Sequence, residues 1–514
     1  MWFVKNKLIL VFLFYTGIPF NQAKKNETVI ENFKNPHFYP DHIGIVQMFQ
    51  WPFDYIAREC EEYLGPQGFG GVQVSPIFEN HIVEGRPWFE LYQPISYIIK
   101  TRLGDERQFR EMIKRCNRAK VRVYVDTILN HMARPGKGVL KGAAGSIAIP
   151  EELYFPAIPY TSDDFRPKCD IYDWNDKYQI RNCRLLELPD LDQSKFNVRN
   201  KQIEMLNKLI SMGVAGFRVD ASSFMKPDEL KEIISSLNNL PRNFNFHKES
   251  KPFIYHEAHH WKSEYTSFGR IIEFNYEEVM SKIMRGQLNL HDINNFAKNF
   301  NMVESKDAVV DLDNHDSQRT YDYLSHKDPV PYKMGLGFLL SFPYGIPKMI
   351  SSFEFSKFET GPPADNLQNI IDPKPKPNGQ CQSYWNCEHR YHIVKEMLQF
   401  ARAVKGEPIK NFYSNNDGQF GFCRGNIGFI AFNTGSKDME IKMNVCLPPG
   451  VYCDIISRNN TSEPKLLFEK FFGKKWKRCN GNKIIVNKRN KAVIKIPAND
   501  ERKFVAFYRH TKIC

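Results

Sequence analysis

The chain has 514 residues, 42% of them apolar, and a formal net charge of +13. That length and apolar content exclude a disordered chain, and they allow about three domains around substantial cores. The charge would point to nucleic acid, membrane or acidic glycan only if basic groups clustered; they do so late, as Lys474, Lys475, Lys477 and Arg478 around Trp476, then Lys488, Arg489 and Lys491. A solvated basic hairpin is the expectation there, with no nucleic-acid or membrane partner.

Residues 1–23 carry Lys5 and Lys7, an apolar run at 8–14 and a polar stretch ending in Ala23. This is the pattern of a secretory signal peptide, too short to span and remain, with cleavage expected near Ala23. The mature protein is therefore expected outside the cell. All 11 cysteines follow that segment, which favours disulfides over metal sites, and the odd count leaves one thiol over. Glycosylation sequons start at Asn26, Asn459 and Asn460.

Short β-branched runs then alternate with amphipathic ones. A strand at 43–48 precedes a helical pattern through Phe53, Ile56, Cys60 and Tyr63; a strand at 71–74 precedes a loop with Trp88, Phe89 and Tyr92; a charged helix at 105–118 precedes a strand at 121–126. This order predicts a parallel sheet. It breaks between about 130 and 190, where Gly, Pro, Asp and aromatic residues dominate, as an inserted subdomain would. A helix at 197–212 resumes the pattern, and further strands read at 214–220, 253–257, 271–274, 309–313 and 348–351. Eight strands suffice for a (β/α)8 TIM barrel. Past about 411 the period changes to short alternating strands, at 418–423, 428–433 and 504–508, which predicts a separate antiparallel β-sandwich. The expected domains are thus 24–129 and 192–410 for the barrel, 130–191 for the insertion and 411–514 for the sandwich.

The segment GFRVDASSFM at 216–225 anchors the functional reading. Arg218 and Asp220 stand two apart on a strand, so both face one side, and the guanidinium keeps a carboxylate at the strand end ionised. Other strand ends also carry acids: Asp126 with Asn130 and His131, Glu257, and Asp316 within Asp313-Asn-His-Asp. Barrel enzymes gather their chemistry from several strand ends, and glycosidic cleavage needs one acid for the leaving oxygen and one carboxylate opposite. Glu257 and Asp220 fit those roles. His256 to His260 also reads H-E-x-x-H, but that zinc signature needs a helix, and Pro252 to Tyr255 runs into it as a strand.

The blocks DTILNHM at 126–132, GFRVDA at 216–221, the His256-Glu257 pair and DNHDSQR at 313–319, supported by GFGGVQVSP at 68–76, FPAIPY at 155–160 and CEHRYHIV at 387–394, resemble the animal-type α-amylases of glycoside hydrolase family 13. The resemblance implies a secreted monomer with the architecture above and endo-hydrolysis of α-1,4-glucans with retention. It implies Asp220 as nucleophile, Glu257 as general acid and base, and Asp316 as transition-state stabiliser. Glu257 must then arrive protonated, with its pKa raised by burial and neighbouring carboxylates. Trp88, Phe89, Tyr92, Gln93, His131, Arg218 and His315 would bind the glucan. Calcium would be held by Asn130, Asp190 and the carbonyls of Arg181 and Phe224. The implied disulfides are Cys60–Cys116, Cys169–Cys183, Cys381–Cys387 and Cys453–Cys479, leaving Cys423, Cys446 and Cys514.

Three departures from the family stand out. Ser223-Phe224 replaces a Lys-His pair on the leaving-group side. Of the chloride ligands, Arg218 and Asn314 remain, but Glu354 stands where the second base belongs, so no chloride dependence is expected. The mobile glycine-rich loop after Arg319 is shortened to TYDYLSHKDPVP, which should open the cleft. Two other readings stay open: an amylase-like carbohydrate binder whose catalysis has decayed, and an exo-acting α-glucosidase or transglycosidase.

Overall fold

Eight almost wholly buried segments pair in parallel and close into a barrel: β1 (Ile43–Met48), β2 (Phe69–Val74), β3 (Arg122–Thr127), β4 (Gly216–Val219), β5 (Phe253–His256), β6 (Arg270–Ile272), β7 (Ala308–Val310) and β8 (Ile346–Ser351). Burial on both faces is why these strands read as continuous apolar runs rather than alternating ones. The computed structural model describes residues 33–320, 322–376, 380–458, 469–471, 474–476 and 479–513. The expected signal peptide, the sequons at Asn26, Asn459 and Asn460, Lys477, Arg478 and Cys514 lie outside the described residues. Of the basic stretch, Glu469–Phe471 pairs antiparallel with Lys474–Trp476.

The helix Glu106–Arg118 shows how local chemistry seats the outer ring. Asp105 caps it by accepting from the Gln108 amide at 2.9 Å, and Gln108 reciprocates at 3.1 Å. Phe109, Met112, Ile113 and Cys116 then form its buried stripe, and Cys116 is bonded to Cys60. The pattern through Cys60 and Tyr63 is helical as expected, though the turn Cys60–Leu64 is π rather than α.

Between β3 and β4 the chain leaves the barrel and builds a small core from Met132, Phe155, Tyr160, Phe165 and Leu191. The Leu191 amide donates to the Asn130 carbonyl at 2.9 Å, tying the end of this excursion to its start. Past the helix His392–Ala403, the strands Ile409–Ser414, Gln419–Arg424, Gly428–Asn433 and Phe504–Tyr508 form an antiparallel sheet. The ladders Met439–Asn444 with Lys491–Ile496 and Gly450–Cys453 with Lys483–Val486 cover its other side, and Phe429, Phe507, Tyr452 and Ile494 share the core between them.

This domain docks through aromatics. Phe338, on the helix Pro329–Ser341, meets the rings of Phe420, Phe422 and Phe432 at 6.2, 6.1 and 5.9 Å. A β-carbon at Gly337 would lie 2.7 Å from Phe504, so only glycine admits this approach. All four expected disulfides form, and Cys423 bonds Cys446 as a further pair.

Candidate active site

Arg218 is the hub of the barrel mouth. Register places Asp126, Arg218 and Tyr255 level across β3, β4 and β5. The guanidinium Nη1 donates to Asp126 Oδ1 at 2.8 Å and to Asp220 Oδ1 at 2.6 Å, and Nη2 lies 2.8 Å from Glu257 Oε1. Glu257 Oε2 accepts from the Ala221 amide at 2.8 Å. Ala221 has φ 51°, a left-handed conformation that a β-carbon disfavours and that the surrounding contacts hold in place. Asp316 completes the trio: its amide donates to Asn314 Oδ1 at 2.8 Å, and its carboxylate lies 3.3 Å from His315 Nε2.

One cation facing several carboxylates leaves excess negative charge in a site shielded from bulk water, and protons must compensate. Burial, then the adjacent Glu257 carboxylate, pushes Asp220 well above the usual range, and the same two causes raise Asp316 to about 7. Burial also acts upward on Glu257, but Arg218, His259 and the Ala221 amide outweigh it and bring it below its ordinary value. This corrects the expectation of a raised Glu257: before substrate arrives, the guanidinium bond keeps it ionised and the proton sits on its neighbours. Asp220 lies within hydrogen-bonding reach of Glu257, so the proton belongs to the pair. Burial lowers His131 to about 4 and takes His315 well below its ordinary value, so both imidazoles are neutral.

These groups open into a cleft of about 810 Å³. Trp88, Phe89, Tyr92, Gln93, His131 and His315 border it together with Asp220, Glu257 and Asp316, so the expected substrate residues are brought together; Arg218 stands behind them. Tyr92 stacks on His315 at 5.2 Å, and its hydroxyl donates to Asp126 Oδ2 at 2.9 Å. Trp88 is only 6% exposed, meets Tyr92 and His315 edge-on, and supports the wall more than it forms it. Sequence reasoning missed Leu185, Leu186, His259, Tyr323 and Phe358, which also border the cleft. No local pattern marks them, since loops from distant parts of the chain bring them in.

The residues expected to hold calcium fit a hard cation. Asn130 Oδ1 and both Asp190 carboxylate oxygens are buried without a hydrogen-bond partner, and His131 and Asp190 are bridged neighbours. The helix Lys177–Asn182, which carries Arg181, packs on the turn Ser222–Phe224, so both expected carbonyl donors sit on touching elements. Uncharged and carboxylate oxygens are the donors calcium prefers.

The H-E-x-x-H run lies on β5 and the loop beyond, and His256 is buried against Ser222 Oγ at 3.1 Å. Ser223 Oγ accepts from the His260 amide at 3.1 Å and so pins that loop, while Phe224 borders the cleft as an apolar surface. The reading of Glu354 needs correction: it is exposed past the end of β8, where its amide donates to the Tyr384 carbonyl at 2.8 Å. The base that β8 buries in the barrel is Lys348, which pairs with Asp311. The shortened loop is anchored, with Arg285 reaching the Asp322 carbonyl at 2.8 Å and Asp328 Oδ2 at 2.8 Å.

A model described as the alpha amylase catalytic domain matches residues 59–334, and one for the alpha amylase C-terminal all-beta domain matches 410–510. An alpha-amylase-related protein of Drosophila mauritiana is 42% identical over 486 residues, covering 93% of this chain and 96% of that one. One from Drosophila varians is 45% identical over 430 residues, covering 82% and 87%. Among solved structures, a mutant of alpha-amylase I from Eisenia fetida in complex with maltohexaose superposes with a TM-score of 0.85 at 31% identity, covering 93% of this chain and 99% of that one. The four signature blocks, the barrel with its carboxylate mouth and these matches converge: the chain belongs to the alpha-amylase family of glycoside hydrolases.

Proposed function

We propose that the protein is a secreted, calcium-binding endo-hydrolase of α-1,4-glucans that retains anomeric configuration. The observation that carries this reading is Arg218 bonded at once to Asp220 and Glu257, with Asp316 beside them in one open cleft. Asp220 attacks the anomeric carbon while Glu257 gives a proton to the departing oxygen. The proton that the carboxylates share moves onto Glu257 once the glucan is bound, which leaves Asp220 ionised for attack; Glu257 passes that proton to the departing oxygen and is itself left ionised. Water then breaks the ester, with Glu257 taking the proton from it and Asp220 regaining its charge. Retention needs the two carboxyl groups about 5 to 5.5 Å apart around the sugar. Asp316 and neutral His131 and His315 supply hydrogen bonds to the ring. Bound calcium would act as a structural clamp, and Asn130 and Asp190 would hold the insertion to the barrel through it.

The maltohexaose complex of the Eisenia fetida relative supports a linear glucan as substrate, and the disulfides fit an oxidising compartment. A binder without turnover is the second reading, favoured by Ser223 turned to His260 and by the apolar Phe224. A starch-iodine assay on the pure protein separates the two: Glu257→Gln should cut the rate by about 10²–10⁴-fold, as loss of a general acid does. Equal rates for the two proteins overturn the enzyme reading. Product sizes from maltoheptaose separate internal cleavage from release of end sugars.

A further inference from the structure

Behind the cleft lies a second charged group that takes no part in breaking the bond. Lys348 on β8 is 1% exposed and ion-paired with Asp311, itself fully buried just after β7. Lys348 Nζ also reaches Gln47 Oε1 on β1 at 3.3 Å, and the Gln47 amide donates to His315 Nδ1 at 2.9 Å. On the other side Glu277, buried in the helix Phe274–Met284, accepts from Asn314 Nδ2 at 2.9 Å and lies within hydrogen-bonding reach of Asp311. Asn314 Oδ1 in turn accepts from the amides of Asp316 and Ser317 at 2.8 and 2.9 Å. The bonds therefore run from two buried carboxyls to both His315 and Asp316.

Two touching carboxyls away from water cannot both be charged. Burial raises Asp311 above its ordinary value, but Lys348 beside it, then Glu277 and Arg218, act against burial and favour its ionised form over that of Glu277. Glu277 faces Asp311 and Asp313 as well as Lys348; burial, then Asp311, pushes it well above the carboxylate range. The proton of the pair thus belongs on Glu277.

We propose that Asp311 and Glu277 form a built-in counter-ion that positions the cleft: ionised Asp311 neutralises Lys348, neutral Glu277 bridges Asp311 to Asn314, and together they fix His315 and Asp316 toward substrate without a dissolved anion. The Asn314 amide, which the family resemblance gave to chloride, is committed to Glu277 instead. The activity readout of this proposal rests on the glucan-hydrolase reading; its melting readout does not.

The test uses Glu277→Gln, which keeps the shape of a neutral carboxyl, and Asp311→Ala, which leaves Lys348 unpaired and opens space beside it. Glu277 and Asn314 border the cleft, so the gap opens one side chain behind it. Glu277→Gln should stay within about twofold of the parent rate, whereas Asp311→Ala should lose about tenfold or more in kcat with a smaller change in KM. Added formate or chloride should return part of that kcat and raise the melting temperature of Asp311→Ala, with sulfate at equal ionic strength as the control. The parent protein should respond to neither anion. The proposal is overturned if chloride speeds or stabilises the parent protein, if Asp311→Ala keeps the parent kcat, or if that variant answers to no anion in rate or melting. Should Asp311→Ala not fold, Asp311→Asn carries the same melting test. A parent protein without turnover would remove the hydrolase reading, and anion-dependent melting of the variant would still decide this one.

Discussion

Arg218 decides which carboxylates carry charge, and that gives the site its pH dependence. Asp316, raised to about 7, is protonated in the folded protein across a range where the unfolded chain would ionise it. Its contribution to stability is full below the ordinary Asp value and is lost as pH rises through about 7. Asp316→Asn, which never ionises, should therefore melt about 2–4 °C above the parent at alkaline pH, and the gap should close toward acid. His131 has the opposite sign. Lowered to about 4, it stabilises fully above its ordinary value, and that stability is lost as pH falls through about 4. In kcat/KM, the basic limb reports the last proton shared by the carboxylates. Removing one negative neighbour with Asp316→Asn eases loss of that proton, so the limb should move acidward by about one pH unit. A limb that stays in place would detach Asp316 from the shared proton.

Three elements shape what the residues can reach. The turn Ser222–Phe224 ties the leaving-group side to the loop after Glu257 through Ser223 and packs under the helix bearing Arg181. The insertion is joined to the barrel at Asn130 and Leu191, beside oxygens of Asn130 and Asp190 that accept no hydrogen bond, with Arg166 3.5 Å from Asp190 Oδ2. If calcium fills that gap, EDTA should lower the melting temperature by several degrees, in line with the roughly 2.7 kcal/mol that a ligand at a hundred times its Kd supplies. Asp190→Ala should abolish the response to EDTA, and an unchanged parent melt would remove calcium from the account. The third element, the loop beyond Arg319, is held by Arg285, and Tyr323 borders the cleft from it. Arg285→Ala should raise KM about threefold or more with less effect on kcat, since it loosens a wall and not the chemistry.

These elements were unequally legible in the chain. The barrel strands were readable because each is a short apolar run, and Asp220, Glu257 and Asp316 because each stands at or shortly past a strand end. Asp311, Glu277 and Lys348 were not, since their contact exists only once β7, β8 and a helix close around one interior. Glu354 was misplaced for a related reason: β8 ends at Ser351, and past it the chain turns outward. The raised value expected for Glu257 followed from burial and neighbouring carboxylates; the competing guanidinium bond is a matter of distance, which spacing along the chain does not encode.

At the scale of the whole molecule, each disulfide braces one domain, and an aromatic seam joins barrel to sandwich. The bond Cys423–Cys446 closes a separation of 23 residues within the sandwich. Replacing both cysteines by serine should cost about 2–4 kcal/mol, seen as an earlier melt in differential scanning calorimetry. Phe338, fully buried against Phe420, Phe422 and Phe432, belongs to the seam. Phe338→Ala should cost about 3–5 kcal/mol. Because the seam joins both domains, the intact protein should show one transition, and the variant a split one.

The close approach at Gly337 has a practical side. Every group assigned to the chemistry lies before residue 410, yet a fragment ending there would bare Phe338 and Phe342 to water and strip the Ser341 carbonyl of its Arg424 donor. Expressed alone, such a truncated cylinder should clump before it ever meets starch.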